Sequence, residues 1–302
     1  MFNKIFLIVA LIGVPLSVLG KTLHWPETIM FAVYCITIIA LAGFMGRATE
    51  SLAIVSGPRI GGLLNATFGN AVELIISIFA LQAGLIEVVL ASLTGSVPGN
   101  LLIIRRLSLL VGGLKYKRQS FNVYDARHNS ALLIFAVVVA FVIPEIFSMK
   151  MDAGKTYQLS IGVSIIMIIM YIAALLFKLV THRGVYQHKS DEVAHEEEPE
   201  WSKGKALLIL AIATLAVAYV SEALVHTFET VAKSFGWSEL FIGVIIVAIV
   251  GNAAEHASAI IMAYKNKVNI AVEIAIGSTL QIAMFVAPVL VCYLCSSRRG
   301  CL

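Results

Sequence analysis

Gly69-Asn70-Ala71-Val72-Glu73, at the head of the apolar run GNAVELIISIFAL (69–81), returns as Gly251-Asn252-Ala253-Ala254-Glu255 in GNAAEHASAI (251–260). The two glutamates lie 182 residues apart, and Gly95-Ser96 meets Gly277-Ser278 at the same offset, so two helices and their connection repeat without insertion or deletion. Within each motif the carboxylate follows an amide by three residues, which puts both on one face of a helix. Both glutamates sit inside apolar windows, and an ionisable group at bilayer depth is costly enough that it is usually functional.

Outward from the motifs, apolar windows fall at about 4–20, 28–46, 60–81, 85–104, 129–148, 158–179, 205–226, 239–263 and 269–294. Each has roughly the 17–25 residues that cross a hydrocarbon core. Hydrophobic residues make up 59% of the chain and charged ones 13%, with a mean hydropathy of +0.92, whereas a soluble domain carries roughly 25% charge. A water-soluble fold is thereby excluded. In lipid, each segment must satisfy its own backbone, so the expectation is an all-α polytopic membrane bundle of about nine transmembrane helices. The stretch 1–20, with Lys4 ahead of its apolar core, reads as the first of these rather than a cleaved signal, because no A-x-A site follows it.

Basic residues set the orientation. Sixteen of the 22 lysines and arginines, among them Arg47, Arg105, Arg106, Lys115, Lys117 and Arg118, fall on the side of the N-terminus, which is therefore expected in the cytoplasm. The long loop 180–204 is then cytoplasmic too. It carries Asp191, Glu192, Glu196, Glu197, Glu198 and Glu200 and reads as a solvated linker, with a cation-attracting or regulatory segment as the sharper alternative. The net charge of +4 does not imply nucleic acid. Cys35, Cys292, Cys295 and Cys301 are not expected to form a disulfide framework, and the CxxC of Cys292 and Cys295 lacks the second pair of a zinc site.

With this topology the third window starts on the cytoplasmic side and the eighth on the other, so the two motif copies are inverted. Secondary transporters use that architecture, with their site at the midplane between the repeats. The expected organisation is an extra first helix and loop (1–27), a first repeat (28–179), the acidic linker (180–204), a second repeat (205–291) and a tail (292–302).

A dehydrated hard cation such as Ca²⁺ takes roughly six to eight oxygens. Glu73 and Glu255 supply carboxylates, and Asn70, Asn252, Ser96, Ser278 and Gln281 supply neutral oxygens. Gly69, Gly95, Gly251 and Gly277 let helices approach closely or open locally, so that carbonyls join them. Packing alone would explain the glycines and serines, but not two symmetry-matched glutamates. His256 breaks the symmetry, since its counterpart is Leu74; it either tunes the site and relays protons or bonds between helices. Glu50, and Glu222 with His226 and Glu229, are second-tier candidates for an entry or proton path, the alternative being charges that face headgroups. Burial favours a protonated glutamate and a bound divalent cation favours the carboxylate, so protons and cation compete for one site.

At GNAVELIISIFAL and GNAAEHASAI, and through RIGGLLNATFGN (59–70), GGLKYKRQSFN (112–122) and IGSTLQIAMFVAPVLV (276–291), the chain resembles the cation/proton exchanger family of the Ca²⁺/cation antiporter superfamily, specifically bacterial Ca²⁺/H⁺ antiporters. The resemblance implies an extra first helix plus two inverted five-helix repeats joined by an acidic cytoplasmic segment. It implies that Glu73 and Glu255 carry the exchanged ions, with Asn70, Asn252, Ser96, Ser278, His256 and Gln281 nearby. It also implies Ca²⁺ export across the cell membrane driven by the proton gradient, often as a trimer, without a cofactor beyond the transported Ca²⁺ and H⁺. The chain departs from the family in three places. Nine windows against eleven leave the second repeat three of its five helices, and the tail CYLCSSRRGCL (292–302) looks unlike the family. Arg105 and Arg106 stand where similar proteins are apolar, and Pro98 should kink its helix. The alternatives are an antiporter for Na⁺/Ca²⁺ or another divalent cation, since carboxylate and amide oxygens do not identify the ion, or a transport-inactive truncated form. An intramembrane metalloenzyme finds no HExxH, GxSxG or paired-aspartate pattern.

Overall fold

The computed structural model describes residues 2–119, 123–177, 180 and 198–297, and all regular structure among them is helical. Helix α1 is Phe2–Thr22, α2 Glu27–Phe68 and α3 Ala71–Gln82. Helix α4 (Ile86–Pro98) runs through a π-helical stretch, Gly99–Ile104, into α5 (Arg105–Lys115). Helix α6 (Val123–Val137) continues likewise through Val138–Val142 into α7 (Ile143–Ser148), and α8 is Ala153–Leu176. Beyond the linker come α9 (Lys203–Phe235), the short α10 (Glu239–Phe241), π-helical Ile242–Val247, α11 (Ala248–Gly251) and α12 (Ala253–Tyr264). Helix α13 (Val268–Gln281) passes through π-helical Ile282–Val286 into α14 (Ala287–Ser296).

Among the described residues, six helical stretches are long and apolar enough to cross a membrane: Glu27–Gly57, Ile86–Lys115, Ser130–Ser148, Gly154–Leu176, Lys203–Phe235 and Val268–Ser296. The pair Glu239–Gly251 and Ala253–Tyr264, bent by 59°, forms a seventh if taken as one span. The windows expected at 4–20 and 60–81 hold the shorter apolar helices Phe6–Thr22 and Ala71–Gln82. What shortens the second is a double interruption. Gly57, at φ 82° and ψ 169°, occupies a region closed to side-chain-bearing residues and breaks α2, and a second break follows at Gly69-Asn70.

The chain divides into two compact units, each drawing on both expected repeats: Met1–Val88 with Ala173–Ala254, and Val89–Ile172 with Glu255–Leu302. In the first unit α9 packs along α2, α1 lies on α2, and α3 and α11 pack on α2 and on each other. Helix α3 also packs on α9. Ile38, Met45, Leu224 and Phe228 are fully buried there, and Phe31 meets the Phe228 ring edge-on at 6.3 Å. Gly236, left-handed at φ 67°, ends α9 with its N–H on the Ala232 carbonyl.

In the second unit α13 packs on α5, on α6 and on the stretch Gly99–Ile104. Val268, Val272 and Ile276 form a core with Leu133, and Ala283 and Met284 one with Ala136 and Met167. In Val268–Ser296, 67% of the apolar window is buried, against 11% in Ser130–Ser148, whose Ile134, Phe135 and Ile146 are exposed. Such large outward apolar residues are what a lipid-facing helix carries. The expected kink at Pro98 takes the form of the π-helical turn that begins at Gly99, where the missing proline N–H relaxes the helical ladder. Arg105 and Arg106 occupy exposed positions at the start of α5, from which long basic side chains reach an interface.

One cysteine expectation is corrected. Cys35 and Cys292 are free thiols, but Cys295 is disulfide-bonded. The CxxC does not close on itself, because Cβ atoms one helical turn apart lie about 5–6 Å from each other and a disulfide needs about 3.8 Å.

Candidate functional site

Both motifs break their helices at the same residue. Asn70 sits at φ −102°, ψ 23° between α2 and α3, and Asn252 at φ −103°, ψ 14° between α11 and α12. Each glutamate therefore falls in the first turn of a new helix, Glu73 in α3 and Glu255 in α12, where unpaired N–H groups and the helix dipole favour negative charge. The repeat recurs in the π-helical stretches as well. Gly99–Ile104, moved by the 182-residue offset, falls on 281–286, and Ile282–Val286 is π-helical.

In the first unit Glu73 is completely buried, and its Oε2 accepts a hydrogen bond from Asn252 Nδ2 at 3.2 Å. The same amide donates to the Ala248 carbonyl at 3.0 Å, so it is anchored to the last turn of α11 while it reaches Glu73. Gly251 permits this approach. A Cβ there would lie 3.0 Å from Glu73 Cβ and 3.2 Å from Glu73 Cα, tighter than ordinary packing allows. The glycine and asparagine of the second motif thus close on the carboxylate of the first. Asn70 is buried as well.

In the second unit Glu255 and His256 are half-buried. His256 Nε2 lies 2.8 Å from Asn100 Oδ1, and Asn100 Nδ2 donates to Ser278 Oγ at 3.1 Å. The direction of the His256–Asn100 bond follows the imidazole tautomer. Ser96, Ser278 and Gln281 are buried in this unit, and a Cβ at Gly277 would meet nothing within 4 Å. Sequence reasoning missed Asn100, which is 1% exposed and follows Pro98 in the π-helical stretch. Its counterpart in the repeat is Ile282, so a search for matched polar pairs passes over it. The signal that marks it is an amide in an apolar window, four residues after Ser96 and hence on its helix face.

The second-tier residues lie elsewhere. Glu50 on α2 and Glu222, His226 and Glu229 on α9 occupy exposed positions, and Glu229 pairs with Lys233 at 2.6 Å. Of the acidic linker, Asp191, Glu192, Glu196 and Glu197 lie outside the described residues. Glu200 pairs with Arg47 of α2 at 3.2 Å, and the guanidinium also lies over the Phe44 and Trp201 rings. Among the described residues no three His, Cys, Asp or Glu side chains cluster, so a cation held here would depend on amide, hydroxyl and carbonyl oxygens beside each glutamate.

Apolar helices long enough to cross a membrane, with a carboxylate three residues beyond each of the two motif breaks, make this a polytopic α-helical membrane protein. A family model described as sodium/calcium exchanger protein matches residues 26–180 and 205–300, and the chain belongs to that family. The Ca(2+)/H(+) antiporter ChaA of Bacillus subtilis (strain 168) is 71% identical over 290 residues, covering 96% of this chain and 83% of that protein. The Ca(2+)/H(+) antiporter of Aphanothece halophytica is 43% identical over 295 residues, 93% of this chain and 79% of that protein. The solved structure of native YfkE matches with a TM-score of 0.84 at 63% identity, over 98% of this chain and 84% of that one. The crystal structure of the H+/Ca2+ exchanger CAX matches with a TM-score of 0.76 at 14% identity, over 100% of this chain and 76% of that one, a likeness of fold alone.

Proposed function

We propose that this protein is a secondary active antiporter that exports cytosolic Ca²⁺ in exchange for H⁺. The observation that carries this is the 71% identity to the Bacillus subtilis Ca(2+)/H(+) antiporter ChaA, together with a buried carboxylate at a helix break. It is a transporter and not an enzyme. Glu73 and Glu255 alternately bind cation and protons. Asn70, Asn252, Ser96, Ser278 and Gln281 contribute neutral oxygens, and His256 tunes the Glu255 side. The matched Asn70 and Asn252 dihedrals and the matched π-helical stretches support reading 28–179 and 205–291 as inverted repeats. In this reading the N-terminus is cytoplasmic, which the distribution of basic residues supports, and the protein works in the cell membrane as a homo-oligomer, a trimer by family resemblance.

Exchange follows from charge. Two protonated glutamates carry the same net charge as two carboxylates balanced by one Ca²⁺, so either loaded form can be carried across while the unloaded, doubly charged form is disfavoured in low dielectric. Proton coupling rather than sodium coupling follows the names of the two antiporter relatives. The test is Ca²⁺ uptake into everted membrane vesicles under an imposed pH gradient, with a sodium gradient as the comparison. Uptake that collapses with the pH gradient and in Glu73→Gln is the expected result; uptake that follows sodium instead, or survives in Glu73→Gln, refutes the proposal.

A further inference from the structure

Hydroxyls in apolar helices normally bond to their own backbone, and most in the first unit do. Ser17 donates to the Gly13 carbonyl at 2.7 Å, Thr37 to Val33 at 2.7 Å, Thr49 to Met45 at 2.8 Å and Thr227 to Leu224 at 2.6 Å. Ser77 and Ser221 do not. Their side chains are 1% and 0% exposed, and among the described residues neither hydroxyl has a hydrogen-bond partner. A buried hydroxyl left that way is costly and calls for a specific explanation.

Their placement supplies it. Ser77 lies one turn beyond Glu73 on the same buried face of α3, in line with Ile76 and Ala80. Helix α3 packs against α9, where Ser221 belongs to the buried stripe of Val217, Val220 and Leu224. Of the titratable groups on the helices packed against α3, Tyr34 of α2 is buried and faces Tyr219 of α9 and Glu27. Helix α11 carries none, and Glu50 of α2 with Glu222, His226 and Glu229 of α9 are at exposed positions. Arg47 is held by Glu200 and the Phe44 and Trp201 rings.

We propose that Ser77 and Ser221 bind water and form a proton path to Glu73, separate from the oxygens that hold the cation. A hydroxyl both donates and accepts, and two of them supply the minimum of partners that a buried water needs. A proton arriving on the water passes to the Glu73 carboxylate as the water gives up one of its O–H protons. The carboxylate becomes a carboxylic acid, the hydroxyls end unchanged, and the reverse sequence deprotonates Glu73 when cation arrives. This rests on the assignment of Glu73 as an exchange site.

The test uses purified full-length protein in proteoliposomes, with Ca²⁺ transport driven by a pH gradient and measured against both pH and Ca²⁺ concentration. Ser77→Ala/Ser221→Ala should lose at least about tenfold in rate and shift the pH profile. Half-saturating Ca²⁺ should stay within about twofold, and Ser77→Thr should keep most of the rate. An unchanged rate and pH profile in the double variant, beside a dead Glu73→Gln, overturns the proton path and leaves the antiport reading intact. A half-saturating Ca²⁺ that rises in step with the lost rate makes the serines cation ligands and also overturns it. Normal transport by Glu73→Gln overturns the underlying reading itself. Should the double alanine variant fail to fold, Ser77→Cys/Ser221→Cys, which keeps the volume and weakens the hydrogen bonding, is expected to show the same split.

Discussion

The glutamate of the same five-residue motif is fully buried in the first copy and only half-buried in the second. Glu73 is completely buried against Gly251 and bonded by Asn252, while Glu255 is half-buried and followed by a histidine where the first copy has Leu74. The backbones agree, with asparagine dihedrals at the two breaks within a few degrees. Surroundings rather than backbone therefore distinguish the copies. On the proposed antiport, Glu73 depends on a neutral amide and a tight glycine contact, and Glu255 neighbours a polar chain running from His256 through Asn100 to Ser278.

The largest effect should come from removing either charge. Glu73→Gln and Glu255→Gln are each expected to lower pH-driven Ca²⁺ uptake by at least about a hundredfold, since a neutral amide can neither release a proton nor balance a cation. Near-normal uptake in Glu255→Gln alone, beside a dead Glu73→Gln, would show that the copies differ in necessity as well as in surroundings. Next comes Asn252→Ala, which removes one donor to the buried Glu73 carboxylate. A loss of about 1.5–3 kcal/mol in unfolding free energy is expected, because the bond is to an ionisable group. The same experiment on Asn70 asks whether the amide at the matching repeat position bears equal weight.

Glycine positions sharpen the contrast further. At Gly251 an alanine Cβ would press on Glu73 at 3.0 Å and should cost about 1–3 kcal/mol. At Gly277, where nothing lies within 4 Å, alanine should change stability by no more than about 0.5 kcal/mol. Thermal unfolding of the purified variants checks both. Smaller still, His256→Leu restores the residue of the first copy. It should cost about 1 kcal/mol through the lost bond to Asn100 and weaken uptake only in part. Uptake abolished by this change would make the histidine an obligate proton carrier. The smallest effect is expected of Arg47→Ala, about 0.5–1 kcal/mol, for an ion pair that is partly exposed and a ring contact near the surface.

Much of this was legible in the chain. The repeated GNAxE motif and its constant offset marked the glutamates, and the apolar windows fell on helices, although α5, the middle of α2 and the end of α9 lie outside them. Asn100 was not legible as a site residue, because repeat symmetry points to Ile282 and nothing in local sequence pairs an amide at 100 with a histidine at 256. Ser77 and Ser221 read as ordinary helix serines; only the positions of the surrounding carbonyls reveal that these two, unlike Ser17 or Thr49, do not bond to their own helices.

By itself, the sequence determined that this is an all-helical membrane protein with two matched carboxylates. Hydrophobic runs without enough charge to dissolve them must lie in lipid, and lipid forces each run to satisfy its own backbone. Tertiary structure alone decided which amide serves which acid. Asn252 reaches Glu73 across 179 residues of chain, and Asn100 joins Ser278 across 178, because helix breaks and a close glycine contact bring distant segments to hydrogen-bonding distance. Such pairings depend on packing in three dimensions, and helical periodicity records only which face of its own helix a residue occupies.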